Sequence, residues 1–366
     1  MTVASTRGLI DTHHHIVPRE YVESLEEKGV KKALGVRFPK WNAEKSIDVM
    51  DRYGISAAVV SISAPGVYFK QIPDPLPFAS DLARRMNDFA ANLVADHPTR
   101  FGAFATLPLP DIDLSIDELK RALENLKLDG VVLMSNYDGY YLGDPRFERV
   151  FSELNRRKAV VFVHPATPPG IESSHLGLPE AMMDVCFDTT RTAFSLIVNG
   201  VTRRYPEVRF ILAHAGGVTP YIAGRVDFLA SLFQGLGGAA AGIATGVGMV
   251  SSVIPGMKER LPEDLSVYLR FKENMPDGPE GYLRRFYYDT AVSTSPHVFA
   301  SLGTVCDNSR VLFGSDYPFG TEAAIPEAIN GIEAYAGFAP EDRAAIGSKN
   351  AATLFPRLHT NLEQHF

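Results

Sequence analysis

Short apolar runs recur eight times along the chain, and a segment with helical character separates most of them from the next. The runs are Gly8–Thr12, Ala57–Ile62, Phe101–Leu107, Gly130–Ser135, Ala159–His164, Val208–His214, Phe286–Thr290 and Val311–Asp316. Each has the length of a buried strand, and most are near-continuous in Val, Ile, Leu or Phe. Between them, Ala43–Tyr53 places Ile47 and Met50 on one helical face and ends at Gly54. Ser80–His97 carries Leu82, Met86, Phe89 and Leu93 at spacings of three or four, an apolar stripe. Ser115–Leu126 opens on Ser115 and Glu118 at capping-box spacing, and Pro145–Arg157 and Thr190–Tyr205 continue the series.

A strand–helix alternation of this kind predicts a parallel sheet. Eight units predict an α/β fold closed as a (β/α)8 TIM barrel, in preference to an open doubly wound sheet. No GxGxxG follows the first strand, which also weighs against a dinucleotide-binding fold. No Pro/Gly/Ser linker divides the chain, so a single domain over residues 1–366 is expected. The stretch 217–285 is too long for one crossover, so a helical insertion at about 226–285, between strands six and seven, is expected over the barrel mouth or at a subunit contact. Part of it, 234–256, is rich in Gly and Ala and lacks the ~20 strongly apolar residues of a membrane span. It reads as a helix or a lid.

With 366 residues, 45% of them hydrophobic, the chain can bury a full barrel core. The balance of 36 basic against 43 acidic residues, a net charge of -7, suits no nucleic-acid partner. Cys186 and Cys306 form neither a disulfide framework nor a CxxC pair, and each reads as a small buried side chain in a reducing interior. No apolar h-region precedes the first strand, so a cytoplasmic protein with no membrane partner is expected.

Function is legible in where the polar residues fall. His13 and His15 close the first predicted strand, His164 the fifth, His214 the sixth and Asp316 the eighth. All lie at carboxyl ends, where barrel enzymes place their chemistry. His13 and His15, two apart in an extended segment, point to one side, and His14 points to the other. His164 and Asp316 would complete a first shell of three imidazoles and one carboxylate, a catalytic-type metal site. Each histidine alone would read as an ordinary core residue. The joint pattern at four strand ends is hard to explain by packing. His97, His175, His297, His359 and His365 end no apolar strand; among them His175 is the one candidate for the rim of the site.

Four segments carry a resemblance to a known family: IDTHHHIVP at 10–18, VVFVHPATPP at 160–169, FILAHAGGVTPYIAGR at 210–225 and VLFGSDYPFG at 311–320. With GDPRFERVFSELNRR at 143–157 and FYYDTAVSTSP at 286–296, they resemble the amidohydrolase superfamily over nearly the whole chain. The likeness is to its decarboxylase branch, the group of aminocarboxymuconate-semialdehyde and 2-hydroxybenzoate decarboxylases. The segments SISAPGV, LMSNYDGYYLGDPRF and FDTTRTA are similar to 6-methylsalicylate decarboxylase-type proteins.

The resemblance implies His13, His15, His164 and Asp316 as metal ligands. It implies His214 as a catalytic residue that orients or activates substrate or water, with Asp316 also handling a proton. Superfamily members with two metals bridge them by a modified lysine at the end of strand four. Here that strand ends in Ser135 and Asn136, so one divalent metal is expected, Zn2+ first and Mn2+ as the alternative.

The expected reaction is non-oxidative decarboxylation of a small aromatic carboxylic acid of the 2-hydroxybenzoate kind, with no organic cofactor. The alternative within the family is hydrolysis of a lactone or amide. An alternative of another class is a non-catalytic barrel that only binds. Candidate substrate contacts are Tyr68, Phe69, Asn136, Arg191, Arg225 and Phe319: the aromatic rings suit a flat ligand, and the guanidinium groups suit a carboxylate. Asp289 reads as an orienting or structural carboxylate. A homodimer is the expected assembly.

Overall fold

A computed structural model describes residues 8–171, 177–244, 271 and 273–358. Eight strands form one sheet: β1 (Leu9–Ile16), β2 (Ile55–Ile62), β3 (Phe101–Thr106), β4 (Gly130–Met134), β5 (Val160–His164), β6 (Arg209–Leu212), β7 (Tyr287–Asp289) and β8 (Val311–Leu312). Their order in the sheet is their order in the chain, and every neighbouring pair is parallel. The ring closes between the first strand and the segment after the last. Thr12 N–H donates to Phe313 O at 2.9 Å, Asp316 N–H to His13 O at 2.8 Å, and His15 N–H to Tyr317 O at 2.7 Å. This is the (β/α)8 barrel expected from the sequence.

Three strand ends differ from expectation. Strand β1 runs through the histidines to Ile16 and does not stop before them. Strand β6 stops at Leu212 because His214 and Ala215 take left-handed backbone, with φ of 55° and 54°. Strand β8 is only Val311–Leu312: the chain beyond it still hydrogen-bonds β1 but turns at Asp316, where φ is 60°.

The helices follow the sequence where capping residues are explicit. Helix α1 (Ala43–Tyr53) begins at Asn42, whose side chain accepts from Lys45 N–H at 2.8 Å, and ends at left-handed Gly54. Helix α2 (Pro75–Asp96) buries Leu82, Met86 and Leu93 and half-buries Phe89. The next helix, α3 (Ile112–Lys120), starts three residues earlier than its capping-box spacing suggested. Asp111 caps it, and Ser115 and Glu118 are buried inside it. The segment expected as Thr190–Tyr205 is α4 (Asp184–Val198) plus a short turn of helix at Val201–Arg204, divided by Gly200 at φ 74°. Of the expected insertion between β6 and β7, helix α5 (Thr219–Ala244) and a short helix at Gly278–Leu283 are described. Residues 245–270 and His175 lie outside the described residues, so the expectations placed on them stand outside the structure. Among the described residues no helix is long and apolar enough to cross a membrane.

Two small hairpins were not expected. One pairs Asn136–Tyr137 with Tyr140–Tyr141. Its turn residues, Asp138 and Gly139, have φ of 54° and 82°, and an Asp-Gly pair between aromatic residues is a hairpin signal.

The barrel interior is packed with aromatic rings. Phe104 stacks on Phe162 at 5.4 Å, and Phe162 meets the ring of His13 at 4.9 Å from below. Outside the barrel, Asn87 on α2 ties helix to strand. Its amide donates to Thr106 O at 2.9 Å and accepts from Thr106 N–H at 2.8 Å, and it also donates to buried Glu118 at 2.7 Å. An Asn87→Leu substitution would leave both backbone groups of Thr106 without that partner. It is expected to cost about 3 kcal/mol of stability, measured by chemical denaturation, because each buried unpaired polar group costs roughly 1–3 kcal/mol.

Candidate metal centre

Four side chains from three elements converge at the carboxyl-terminal face. One ligand atom each from His13, His15, His164 and Asp316 lies within 4.8 Å of all the others. His13 Nε2 is 3.2 Å from Asp316 Oδ1 and 3.0 Å from His15 Nε2, and His15 Nε2 is 3.1 Å from the same Asp316 oxygen. The His164 ring centre lies 4.9 Å from that of His15 and 5.4 Å from that of His13. All three imidazoles are buried. Gly314 permits the close approach: a Cβ there would stand 2.8 Å from His13 Cβ.

The far side of each ring fixes its tautomer. His13 Nδ1 bonds Asp289 Oδ2 at 2.9 Å, His15 Nδ1 faces Ser61 O at 3.3 Å and Ser61 Oγ at 3.1 Å, and His164 Nδ1 bonds Pro165 O at 2.8 Å. A carboxylate or a carbonyl oxygen only accepts, so in each ring Nδ1 carries the hydrogen and Nε2 offers a lone pair. With all three rings neutral, three lone pairs and a carboxylate oxygen would share one buried volume with no donor among them. That arrangement is costly unless a cation, or a proton, sits between them. The donor set therefore fits a divalent metal, and the outer partners supply the orientation such ligands need.

The electrostatics agree. Burial opposes charge on His13, but Asp289 and Asp316 outweigh it and hold its pKa up at about 10. Burial pushes His15 down, and burial together with the charges of His15 and His13 pushes His164 well below its usual value. Burial alone would raise Asp316, yet the charge of His13 and the close contacts of His13 and His15 hold it well below the ordinary carboxylate range. The cluster is a negative well that retains one positive charge.

His214 stands beside the four. Its ring is 4.8 Å from that of His13 and 6.2 Å from that of His164, and its Nδ1–H donates to Ala291 O at 3.0 Å. Its backbone N–H donates to Asp289 Oδ1 at 3.0 Å, and Ala291 N–H donates to the same oxygen at 2.9 Å. His13, His214 and Asp289 also form a group with atoms close enough for an ion. Asp289 is already engaged by three donors there, so it acts as the orienting carboxylate that the sequence suggested. His14 faces away, as expected: it bonds Asp11 at 3.0 Å and Ser46 Oγ on α1 at 3.1 Å.

The candidate substrate residues divide. Phe319 sits at the cluster, its ring edge-on to His15 at 5.6 Å. Tyr68, Phe69 and Asn136 line a cavity on the same face, although the amide of Asn136 is bonded to Asp188 and Thr167. Arg191 is exposed on α4 and donates to Tyr141 Oη at 3.3 Å, and Arg225 is exposed on α5. Neither arginine lines the cavity. Asp188, near Arg191 in the stretch after the fifth strand, is also a substrate-contact candidate by sequence, but its carboxylate is taken up by neighbours. It is fully buried and accepts from the hydroxyl of Ser135, from Asn136 Nδ2 at 3.0 Å, from Tyr141 Oη–H at 2.8 Å and from Ala166 N–H at 3.4 Å. Its setting among Thr and Phe residues in a helix gave no periodic signal.

Comparison with known proteins places this geometry in a family. The profile described as Amidohydrolase matches residues 10–357. Decarboxylase yanB of Aspergillus niger is 34% identical over 361 residues, covering 95% of this chain and 87% of that protein. The 6-methylsalicylic acid decarboxylase acuB of Aspergillus aculeatus is 32% identical over 353 residues, covering 95% and 96%. A crystal structure of dihydroxybenzoic acid decarboxylase from Polaromonas, with bound manganese and 2-nitroresorcinol, superposes with a TM-score of 0.72 at 22% identity, covering 96% and 97%. The chain belongs to the amidohydrolase family.

Proposed function

We propose that the protein is a metal-dependent, non-oxidative decarboxylase of a small 2-hydroxybenzoate-like acid such as 6-methylsalicylate. The observation that carries this is the convergence of three Nε2 lone pairs and one carboxylate at the strand ends. The activities named for its relatives, which match over nearly full length, support the chemistry. His13, His15, His164 and Asp316 would hold one divalent cation. Zn2+ is our first choice, and Mn2+ suits the same donors and is bound in the Polaromonas neighbour. No lysine stands at the end of β4 to bridge a second ion.

When bound, the cation supplies a Lewis acid that holds and neutralises the anionic edge of the substrate. Phe319 limits the site beside His15 and helps keep water out. Asp316, held anionic in the free protein, takes the phenolic proton as substrate binds and passes it to the ring carbon that bears the carboxylate. A C–H bond forms there, the C–C bond to the carboxylate breaks, and its electron pair returns to the ring as CO2 leaves. His214, with Nδ1–H committed to Ala291 O, presents Nε2 to the same space and positions the transferring proton.

Exposed Tyr221 and Phe228 on α5, Phe187 in the first turn of α4 and Met182 just before it support a homodimer, and the two free cysteines suit a reducing cytoplasm. The sheet, ordered as the chain is, supports one domain over 1–366.

Incubation of metal-loaded protein with hydroxybenzoates is expected to release CO2 and the corresponding phenol. Hydrolysis of lactones or amides with no CO2 from any benzoate would overturn the reading. His13→Ala is expected to abolish both metal content and turnover. His214→Ala is expected to keep its metal and lose about 10²–10³-fold in kcat, a typical loss for a proton-transfer group; loss of metal as well would make His214 a ligand. Because His13 titrates at about 10 without metal, its Nε2 must give up a proton to become a ligand below that pH. Calorimetry at pH 7.5 in buffers of different ionisation enthalpy should therefore show about one proton released per ion bound, with affinity falling as pH falls.

A further inference from the structure

The carboxyl-terminal face also holds a cavity of about 650 Å³, walled by the segments that follow β2, β3, β4 and β5. Met134, on its wall, is the register partner of His164 across β4 and β5. Register partners in a parallel pair leave the sheet on the same side, and Ala166, also on the wall, lies two residues beyond His164, so two wall residues adjoin the strand end that carries this ligand.

Polar groups on the wall are turned to one another. The Asn136 amide donates to Asp188 and to Thr167 O and accepts from Gly139 N–H at 3.2 Å. The Tyr137 hydroxyl accepts from Met134 N–H at 3.1 Å, and the Thr167 hydroxyl donates to Glu180 at 2.8 Å. Lys70 is paired with Asp138. Most of the side chains that remain are apolar, Val67, Phe69, Leu107, Met134, Ala166 and Pro169 among them, beside the polar Tyr68, Gln71 and Thr106.

Pockets of ~300–1,000 Å³ hold drug-sized ligands. This one is larger than a single benzene ring with one methyl group requires. We propose that it is a subsite for an apolar chain of several carbons carried on the aromatic ring, which makes the substrate class alkyl-substituted 2-hydroxybenzoates. The proposal rests on the decarboxylase reading only for the head group. A carboxylate in place of that chain would be disfavoured: it would lie against Val67, Met134 and Pro169, and Lys70 is paired with Asp138.

The test measures, on metal-loaded full-length protein, calorimetric affinity and kcat/KM for 6-methyl-, 6-propyl- and 6-pentylsalicylate and for 3-hydroxyphthalate, which carries a carboxylate at the same ring position. Each added methylene is expected to tighten binding about fourfold, in line with the free energy of burying one CH2. KM should carry the gain, and the dicarboxylate should bind more weakly than the methyl compound. Val67→Phe, which narrows the wall, is expected to lower the pentyl-to-methyl ratio of kcat/KM at least tenfold. Affinity that is flat or falls with chain length would overturn the subsite, even with CO2 released. Affinity that rises with chain length while no CO2 appears would sustain the subsite and remove the decarboxylase reading. The wild-type series decides the matter should Val67→Phe not fold.

Discussion

The seam where the barrel closes is the constraint on which the rest of the structure depends. Strand β8 is two residues long, too short to close a ring alone, and the chain beyond it must find β1 while leaving regular geometry. Asp11 makes this possible. Its buried carboxylate accepts from His13 N–H and Ser315 N–H, each at 3.1 Å, from the Ser315 hydroxyl at 2.5 Å and from His14 Nδ1 at 3.0 Å. A carboxylate with that many donors offsets much of its desolvation cost, and removing one donor would leave that share of the cost uncompensated. Because the seam runs from Thr12 to His15 on one side and from Phe313 to Tyr317 on the other, closing it places His13, His15 and Asp316 together. Barrel closure and assembly of the donor cluster are one event.

Buried acids serve the same purpose elsewhere on this face. Asp289 joins β7 to β1 through His13 and to the turn after β6 through His214 N–H. Asp188 joins the segments after β4 and β5 to α4. Burial raises the pKa of Asp188 even with its donors in place. A left-handed residue such as His214 or Asp316 has a conformational cost, and hydrogen bonds to such hubs hold it there. The donors of the cluster are thus fixed from behind, and little reorganisation is required when a cation and a substrate enter.

The eight strands were legible in the sequence because a barrel strand is buried on both faces and reads as an uninterrupted apolar run. The convergence of His13, His15, His164 and Asp316 was legible because chain order and strand order coincide, so a residue at a strand end is also at the mouth. Strand ends were read less well. The apolar run continues past Leu212 and Leu312, while the backbone has already left extended geometry under tertiary hydrogen bonds that no local pattern records. Ser115 and Glu118 imitate a capping box, yet Asp111, just after Pro110, caps the helix, and both imitators are buried. Arg191 and Arg225 show the limit of reading by residue type: a guanidinium suits a carboxylate, but helix rotation turns both side chains to solvent. The role of Asp188 as a buried hub was not legible because its partners, Ser135 and Asn136, Tyr141 and Ala166, come from three separate segments.

The mouth of the barrel is divided, and the division has a physical reason. Strands β1, β5 and β6 and the segment after β8 bring every titratable group of the cluster. Strands β2, β3 and β4 end in Ile62, Thr106 and Met134, with no ionisable side chain at their tips. An even spread of charge around the rim would draw water into the whole opening and weaken each interaction within it. Gathering the donors on one side leaves the other free to be apolar, and an apolar wall lowers the dielectric around the charges facing it. The same wall sets the shape of whatever ring the donors hold. On the function and subsite proposed above, reactivity and selectivity are carried by different strands, and either could change while the other keeps its geometry.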